Sequence, residues 1–260
     1  MKRPDLVVFV LAIAIAPSAH AQTPDARELV RQSVLNYEKA WRAGMQWSYT
    51  QTDVTREDGT REVDVSQVIP LDGTPYQRLI GKNGHALTQE EQRKEDDKYQ
   101  KELHRRGVES PGTRQARIQK YEKERGFLVE IPAAYDFRLV GEDLLAGRPA
   151  WVVKMTPHPG FEPTMTHAGM LKHIDGSLWI DKKDVQWSRA EADVIDNVSV
   201  GLILARIGPG AHISLEFTRI SDKLWVPKEI TIKGEARILL VHNKNLDEEL
   251  SFSAWRWPGP

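Results

Sequence analysis

The stretch from 224 to 240 cannot be a helix. Leu224, Val226, Ile230, Ile232, Ala236, Ile238 and Leu240 keep one parity, while Glu229, Thr231, Lys233, Glu235 and Arg237 keep the other. A helix repeats every ~3.6 residues and would mix the two sets; a strand repeats every second residue and separates them. The same alternation sets Ile213, Leu215 and Phe217 against Ser214, Glu216 and Thr218, and Trp151, Val153 and Met155 against Val152, Lys154 and Thr156. Residues 176–196 read as a hairpin, with strands at 178–181 and 185–195 and a polar turn at 182–184. On its second strand Trp187, Arg189, Glu191 and Asp193 share one face, and Ala190, Ala192 and Val194 the other. A sheet with two unlike sides is the surface around which the rest must be arranged.

Residues 23–44 carry the opposite signal. Ala26, Leu29, Val30, Val34, Tyr37, Ala40 and Trp41 recur at helical spacing, and this apolar stripe has to lie on the sheet. Thr23 is placed to cap the helix, Pro24 fits its first turn, Asp25 suits the positive dipole end, and Gly44 is the expected stop. Strands are predicted at 46–56 and 60–68 around Asp58-Gly59, whose glycine accepts positive φ. A third runs over 74–80, closed by Gly81-Lys82-Asn83-Gly84.

From Thr88 the pattern changes. Thr88-Gln89-Glu90-Glu91 is a capping box, and the residues to Arg106 are almost all polar, Tyr99 and Leu103 excepted. A second helical piece follows at 113–125. A helix pair this polar is not core; it reads as a solvated excursion, with a mobile lid over one side of the sheet as the functional alternative. Phe127, Leu128, Ile131 and Tyr135 bring the chain back. Strands then resume at 136–142, 148–156, 199–207, 213–218 and 248–257, besides those already described. There is no sequence repeat and no βαβ alternation, so the sheet is expected to be antiparallel and meandering.

The chain has 260 residues, a formal net charge of -1 and no cysteine. That length suits one large β-rich domain, and near-neutral charge gives no sign of a nucleic-acid partner. Without cysteine there is no disulfide, thiolate zinc site, thiol nucleophile or lipid-modified N-terminal cysteine. Residues 1–21 read as a cleavable signal peptide. Lys2 and Arg3 lead, an apolar run covers 6–16, and Ser18-Ala19-His20-Ala21 supplies small residues for cleavage after Ala21. The mature chain, 22–260, is expected in the periplasm or exported. No later segment is apolar enough over sufficient length to be transmembrane.

No nucleophile elbow, P-loop, dinucleotide glycine motif, HExxH or EF-hand loop is present. The chain is therefore not read as an enzyme, and neither cofactor nor metal is assigned. His158, Glu162, Met165, His167, Met170 and His173 fall close in sequence, and imidazole with thioether suits copper. Their spacing forces no ligand pair together, so the stretch is read as a Pro/Gly-rich loop that happens to hold histidines. A weaker hydrolase reading rests on His158, His167 or His173. Trp47, Trp151, Trp179, Trp187, Trp225, Trp255 and Trp257 are mostly core and hairpin packing, with the lining of an apolar ligand cavity as the alternative. Arg189, Glu191 and Asp193 are expected to face outward, because unpaired buried charge is costly.

Four features resemble the periplasmic outer-membrane lipoprotein-sorting carriers, the LolA/LolB-like superfamily. A signal segment leads at once into an amphipathic helix. The Trp47-Ser48-Tyr49 strand follows it. Gly176-Ser177-Leu178-Trp179-Ile180-Asp181, leading into 185–192, is similar to that family's G-x-L-W-hydrophobic-D hairpin. Finally, 213–217 followed by Leu224-Trp225-Val226-Pro227 to Lys233 is similar to its strand, turn and P-x-x-I-x-I continuation. The resemblance implies a mainly β fold with helices (α+β). It is a curved antiparallel half-barrel of about ten strands over 22–260, covered by the N-terminal helix and by a charged helical insertion at 88–126. It implies a hollow that holds a lipid or the acyl chains of a lipoprotein. One strand parity is expected to line it: Trp151, Val153, Met155, Ile213, Leu215, Phe217, Leu224, Val226, Ile230 and Ile232. The alternative is an envelope protein-interaction or stress-sensing module of the same fold, whose 88–126 segment contacts a membrane partner.

Overall fold

The computed structural model describes residues 24–57, 59–200, 205–222, 224–238 and 242–257. The expected signal peptide and the Thr23 cap lie outside them. In chain order come α1 (Ala26–Gly44), β1 (Ser48–Glu57), β2 (Thr60–Leu71), β3 (Thr74–Lys82), β4 (His85–Ala86), α2 (Gln89–Gly107) and α3 (Pro111–Lys123). A 3₁₀ turn (Gly126–Glu130) and α4 (Ile131–Ala134) lead to β5 (Tyr135–Leu145) and β6 (Arg148–Pro157). After a second 3₁₀ turn (Ala168–His173) follow β7 (Ile174–Asp181), β8 (Trp187–Val194), β9 (Val198–Val200), β10 (Ala205–Ile207), β11 (His212–Ser221), β12 (Leu224–Ile238) and β13 (His242–Arg256).

The strands form one antiparallel sheet in the order β4-β3-β2-β1-β13-β12-β11-β8-β7-β6-β5, with β10 and β9 hung on β12. The first long strand pairs with the last, but β4 and β5 do not meet, so the barrel stays open. This is an open half-barrel with helices, the architecture that the resemblance implied.

α1 lays its stripe on this sheet. Leu29, Val30 and Val34 pack with Val153, Leu178, Ile180, Trp187 and Ala190 in the main core. Each fully buried aliphatic side chain contributes about 1.5–3 kcal/mol. A hydrogen bond fixes the contact. Trp187 Nε1 donates to the buried Ser33 Oγ at 2.9 Å, and that hydroxyl donates to Val30 O at 2.8 Å. The cap is Asp25 rather than Thr23: its Oδ1 accepts from the Glu28 amide at 2.7 Å. Thr88 and Glu91 form the expected capping box of α2. α3 begins at Pro111, earlier than expected, because Ser110 caps it and proline suits a first turn.

Several register shifts interrupt the plain alternation, and two of them, with one divided strand, correct the sequence reading. Trp179 pairs with Arg189, but the next residue, Ile180, pairs with Trp187. Ser188 is therefore an extra residue in β8, and its hydroxyl donates to Trp179 O at 3.0 Å. This bulge turns Trp187 onto the face of Ala190 and into the core, away from Arg189. In β12, Glu229 pairs with Glu216 but Pro227 with Phe217, so the alternation changes phase at Lys228. Residues 199–207 are not one strand: β9 and β10 are separate and pair with each other.

Candidate functional site: a roofed hollow beside the N-terminal helix

α1 covers the sheet unevenly. Its first half sits on β6, β7 and β8. Its second half rims a hollow of about 580 Å³ over β11, β12, β13 and β1. Register explains the floor. Leu215 pairs with Ile230, and Ile230 with Leu250, so three strands present one apolar row. Phe217 and Phe252 extend it, and Tyr49 and Gln51 of β1 follow at one side. Tyr37, Ala40 and Trp41 of α1 supply one wall. Tyr37 stacks on Trp187 at 4.4 Å and meets Phe217 edge-on at 5.8 Å.

The roof comes from the polar helix pair. α2 lies against the face of β3 that points away from the hollow. There Tyr99 meets Tyr76 at 5.4 Å, and Arg78 bonds Asp96. Two buried or nearly buried arginines then tie the pair to the β2–β3 turn. Arg106 donates to Thr74 O and Thr74 Oγ1, both at 3.0 Å, and also to Leu71 O. Arg117 donates to Thr74 Oγ1 at 2.6 Å and to Asp72 O at 3.1 Å. So anchored, α3 ends over the hollow. Tyr121 stacks on Trp41 at 6.0 Å, and Glu122 bonds Arg42, which also donates to Glu38 at 3.1 Å. Arg125 stands over the Tyr121 ring at 4.3 Å.

The far end is set by the β7–β8 turn. The buried Asp181 carboxylate takes both arms of Arg148, at 2.6 and 2.8 Å, and accepts the amides of Lys183 and Asp184. Burial pushes the Asp181 carboxyl up, but Arg148 and those amides outweigh it and hold it below the usual carboxylate range. Val185 sits at φ 50, a strained setting for a β-branched residue. Asn36 of α1 holds it there by donating to Val185 O at 3.1 Å. Asp184 in turn accepts from Trp225 Nε1 at 3.0 Å, and Gln186 donates to Asn36 O at 2.9 Å. Trp225 and Gln186 both line the hollow.

Three tyrosines stand among the polar groups that border the hollow. Burial pushes the Tyr37 and Tyr49 phenols up to about 12, with Arg125 pulling the other way. Tyr121 is likewise raised by burial and opposed by Arg125. All three hydroxyls therefore stay protonated at neutral pH.

Of the residues the sequence proposed as lining, Leu215, Phe217, Val226 and Ile230 border the hollow. Val153 and Met155 lie in the packed core under α1 and α4, and Trp151 packs against it. Leu224 is buried with Val226 and Ala40 in a second cluster. Ile213 and Ile232 pair with each other, half-buried, further along β11 and β12. Sequence reasoning missed Tyr37, Trp41, Tyr49, Tyr121, Arg125, Leu250 and Phe252. One usable signal was Tyr121, an aromatic on a helix otherwise polar. The histidines do not converge: His158 pairs with Asp136 at 3.2 Å and His173 with Asp196 at 3.4 Å. Among the described residues no three His, Asp or Glu side chains gather as metal ligands would. Arg189 and Glu191 pair with each other, and Asp193 with His212.

No family model and no curated protein matches the chain. Solved structures do. An outer membrane lipoprotein-sorting protein domain from Vibrio parahaemolyticus aligns at TM-score 0.39 and 11% identity, covering 89% of this chain and 91% of that one. A DUF1329 family protein from Desulfovibrio piger aligns at 0.37 and 11%, covering 90% and 94%. A LolA superfamily protein from Nitrosomonas europaea aligns at 0.35 and 10%, covering 88% and 94%. The half-barrel itself is established by this chain's own strand order and register.

Proposed function

We propose that this chain binds an acyl chain in the hollow between α1, α3 and the sheet, without covalent chemistry. The supporting observation is the floor. Leu215, Phe217, Ile230, Leu250 and Phe252 form an apolar row open to a space of about 580 Å³, inside the roughly 300–1,000 Å³ usual for ligand sites. Affinity would come from methylene burial, at about 0.8 kcal/mol per CH₂. Carriage of a lipid-modified protein is the form the sequence resemblance points to; carriage of a free lipid is the other. The export signal expected from residues 1–21 supports a periplasmic setting. Among the described residues no helix is long and apolar enough to cross a membrane.

The test fills the hollow. Ile230 and Leu250 are cross-strand neighbours on its floor, so Ile230→Trp and Leu250→Trp narrow it without adding charge. A fluorescent fatty acid should bind the natural chain and bind each variant roughly tenfold more weakly or worse, with the melting temperature held. Uptake that is undiminished in both variants sinks the reading. No uptake by the natural chain moves the function to a protein contact on α2 and α3.

A further inference from the structure

The hollow is bordered by polar groups that the acyl chain does not explain. Four charged side chains border it: Glu38, Arg42, Glu122 and Arg125. Arg42 engages both carboxylates. Arg125 has no carboxylate partner among the described residues, only the Tyr121 ring beneath it. Around it stand Tyr37, Tyr49 and Tyr121, all bordering the hollow. None of their hydroxyls is hydrogen-bonded to another described residue. The Arg125 charge reaches all three phenols, and Tyr37 and Tyr49 both feel Tyr121. So three phenol hydroxyls without a hydrogen-bond partner and one guanidinium without a carboxylate partner border the same apolar space. A guanidinium only donates and a phenol O–H can donate, so together they suit an anion. Arg125 is itself exposed, so an anion placed there keeps part of its hydration while its chain lies on the floor.

Resting on the acyl-chain reading, we infer that Arg125 with the hydroxyls of Tyr37, Tyr49 and Tyr121 forms a head-group site, and that the ligand is an acyl amphiphile with an anionic carboxylate or phosphate head. The experiment compares three probes of one chain length below their micelle concentrations: oleate, monooleoyl phosphatidic acid and methyl oleate. At least one anion should bind the natural chain roughly tenfold or more tightly than methyl oleate, the range of a charge-assisted hydrogen bond. Whichever anion leads names the head class. Arg125→Gln should abolish the preference, and Tyr49→Phe should reduce it. Methyl oleate binding as tightly as both anions overturns the head-group site and leaves the hollow intact. A preference that persists in Arg125→Gln also overturns it. Failure of all three probes overturns the acyl-chain reading and the head-group site together.

Discussion

Single residues carry the geometry of the hairpin that the hollow is built against. Gly176 is required by space. A Cβ there would stand 2.2 Å from Glu191 O on the neighbouring strand, closer than real contacts allow. Gly176→Ala should therefore cost about 3 kcal/mol or more, read as a drop in the denaturant midpoint; a neutral result would mean that β7 and β8 can part. Asp181 is 1% exposed and depends on Arg148. Arg148→Ala leaves that carboxylate buried with only backbone donors and should cost about 3 kcal/mol. The pH dependence has a definite sign. The folded carboxyl lies below the roughly 3.9 of an unfolded Asp, so its contribution is complete above that value and is lost as pH falls through the folded one. The gap in stability between natural chain and Arg148→Ala should be widest near neutral pH and shrink on acidification. A gap constant from pH 7 to pH 3 would contradict this. The motif was visible in the sequence as Gly176 to Asp181, but the bulge at Ser188 was not. The apolar parity does switch across Ser188-Arg189, from Val185 and Trp187 to Ala190, Ala192 and Val194, a cue the reading passed over; Trp187 is held inward by Ser33 on a helix far away in sequence.

At the scale of elements, the helix pair shows how a polar segment docks without an apolar stripe. α3 has no buried residue, and α2 buries only Glu95 and Arg106. Attachment runs through arginine bonds to the β2–β3 turn, together with the Tyr99–Tyr76 and Tyr121–Trp41 ring contacts, and a hydrophobicity pattern cannot reveal the arginine bonds. Arg106→Met removes three of these bonds while keeping the bulk. It should loosen the pair locally by about 2 kcal/mol, read as roughly thirtyfold faster amide exchange over α2 and α3, with β6 to β8 unchanged. Uniform acceleration over the whole chain would show the pair to be part of one cooperative unit. The start of α2 was legible because its capping box is local, Thr88 and Glu91 acting within three residues, whereas the Ser110 cap that starts α3 at Pro111 was not read. The phase change at Lys228 was not legible, because a register shift depends on the partner strand.

For the whole molecule, the open sheet and one helix laid off-centre across it produce the hollow. Parity alone assigned ten lining residues to a single face, but it could not say where α1 would sit. The α1 stripe falls on β6 to β8, so Val153 and Met155 become core, while Leu215, Phe217 and Ile230 are left bordering free space. The aromatic and cationic roof arrives from 110–125, far from the strands it covers. The central claim is that this space holds an acyl chain, and photocrosslinking places such a ligand directly. A fatty acid with a diazirine on its chain, bound and irradiated, should label peptides of β11 to β13 and the Tyr121–Leu128 segment, and excess unlabelled fatty acid should suppress the labelling. Labelling confined to the opposite face of the sheet or to α2, or labelling that excess fatty acid does not suppress, would contradict the account.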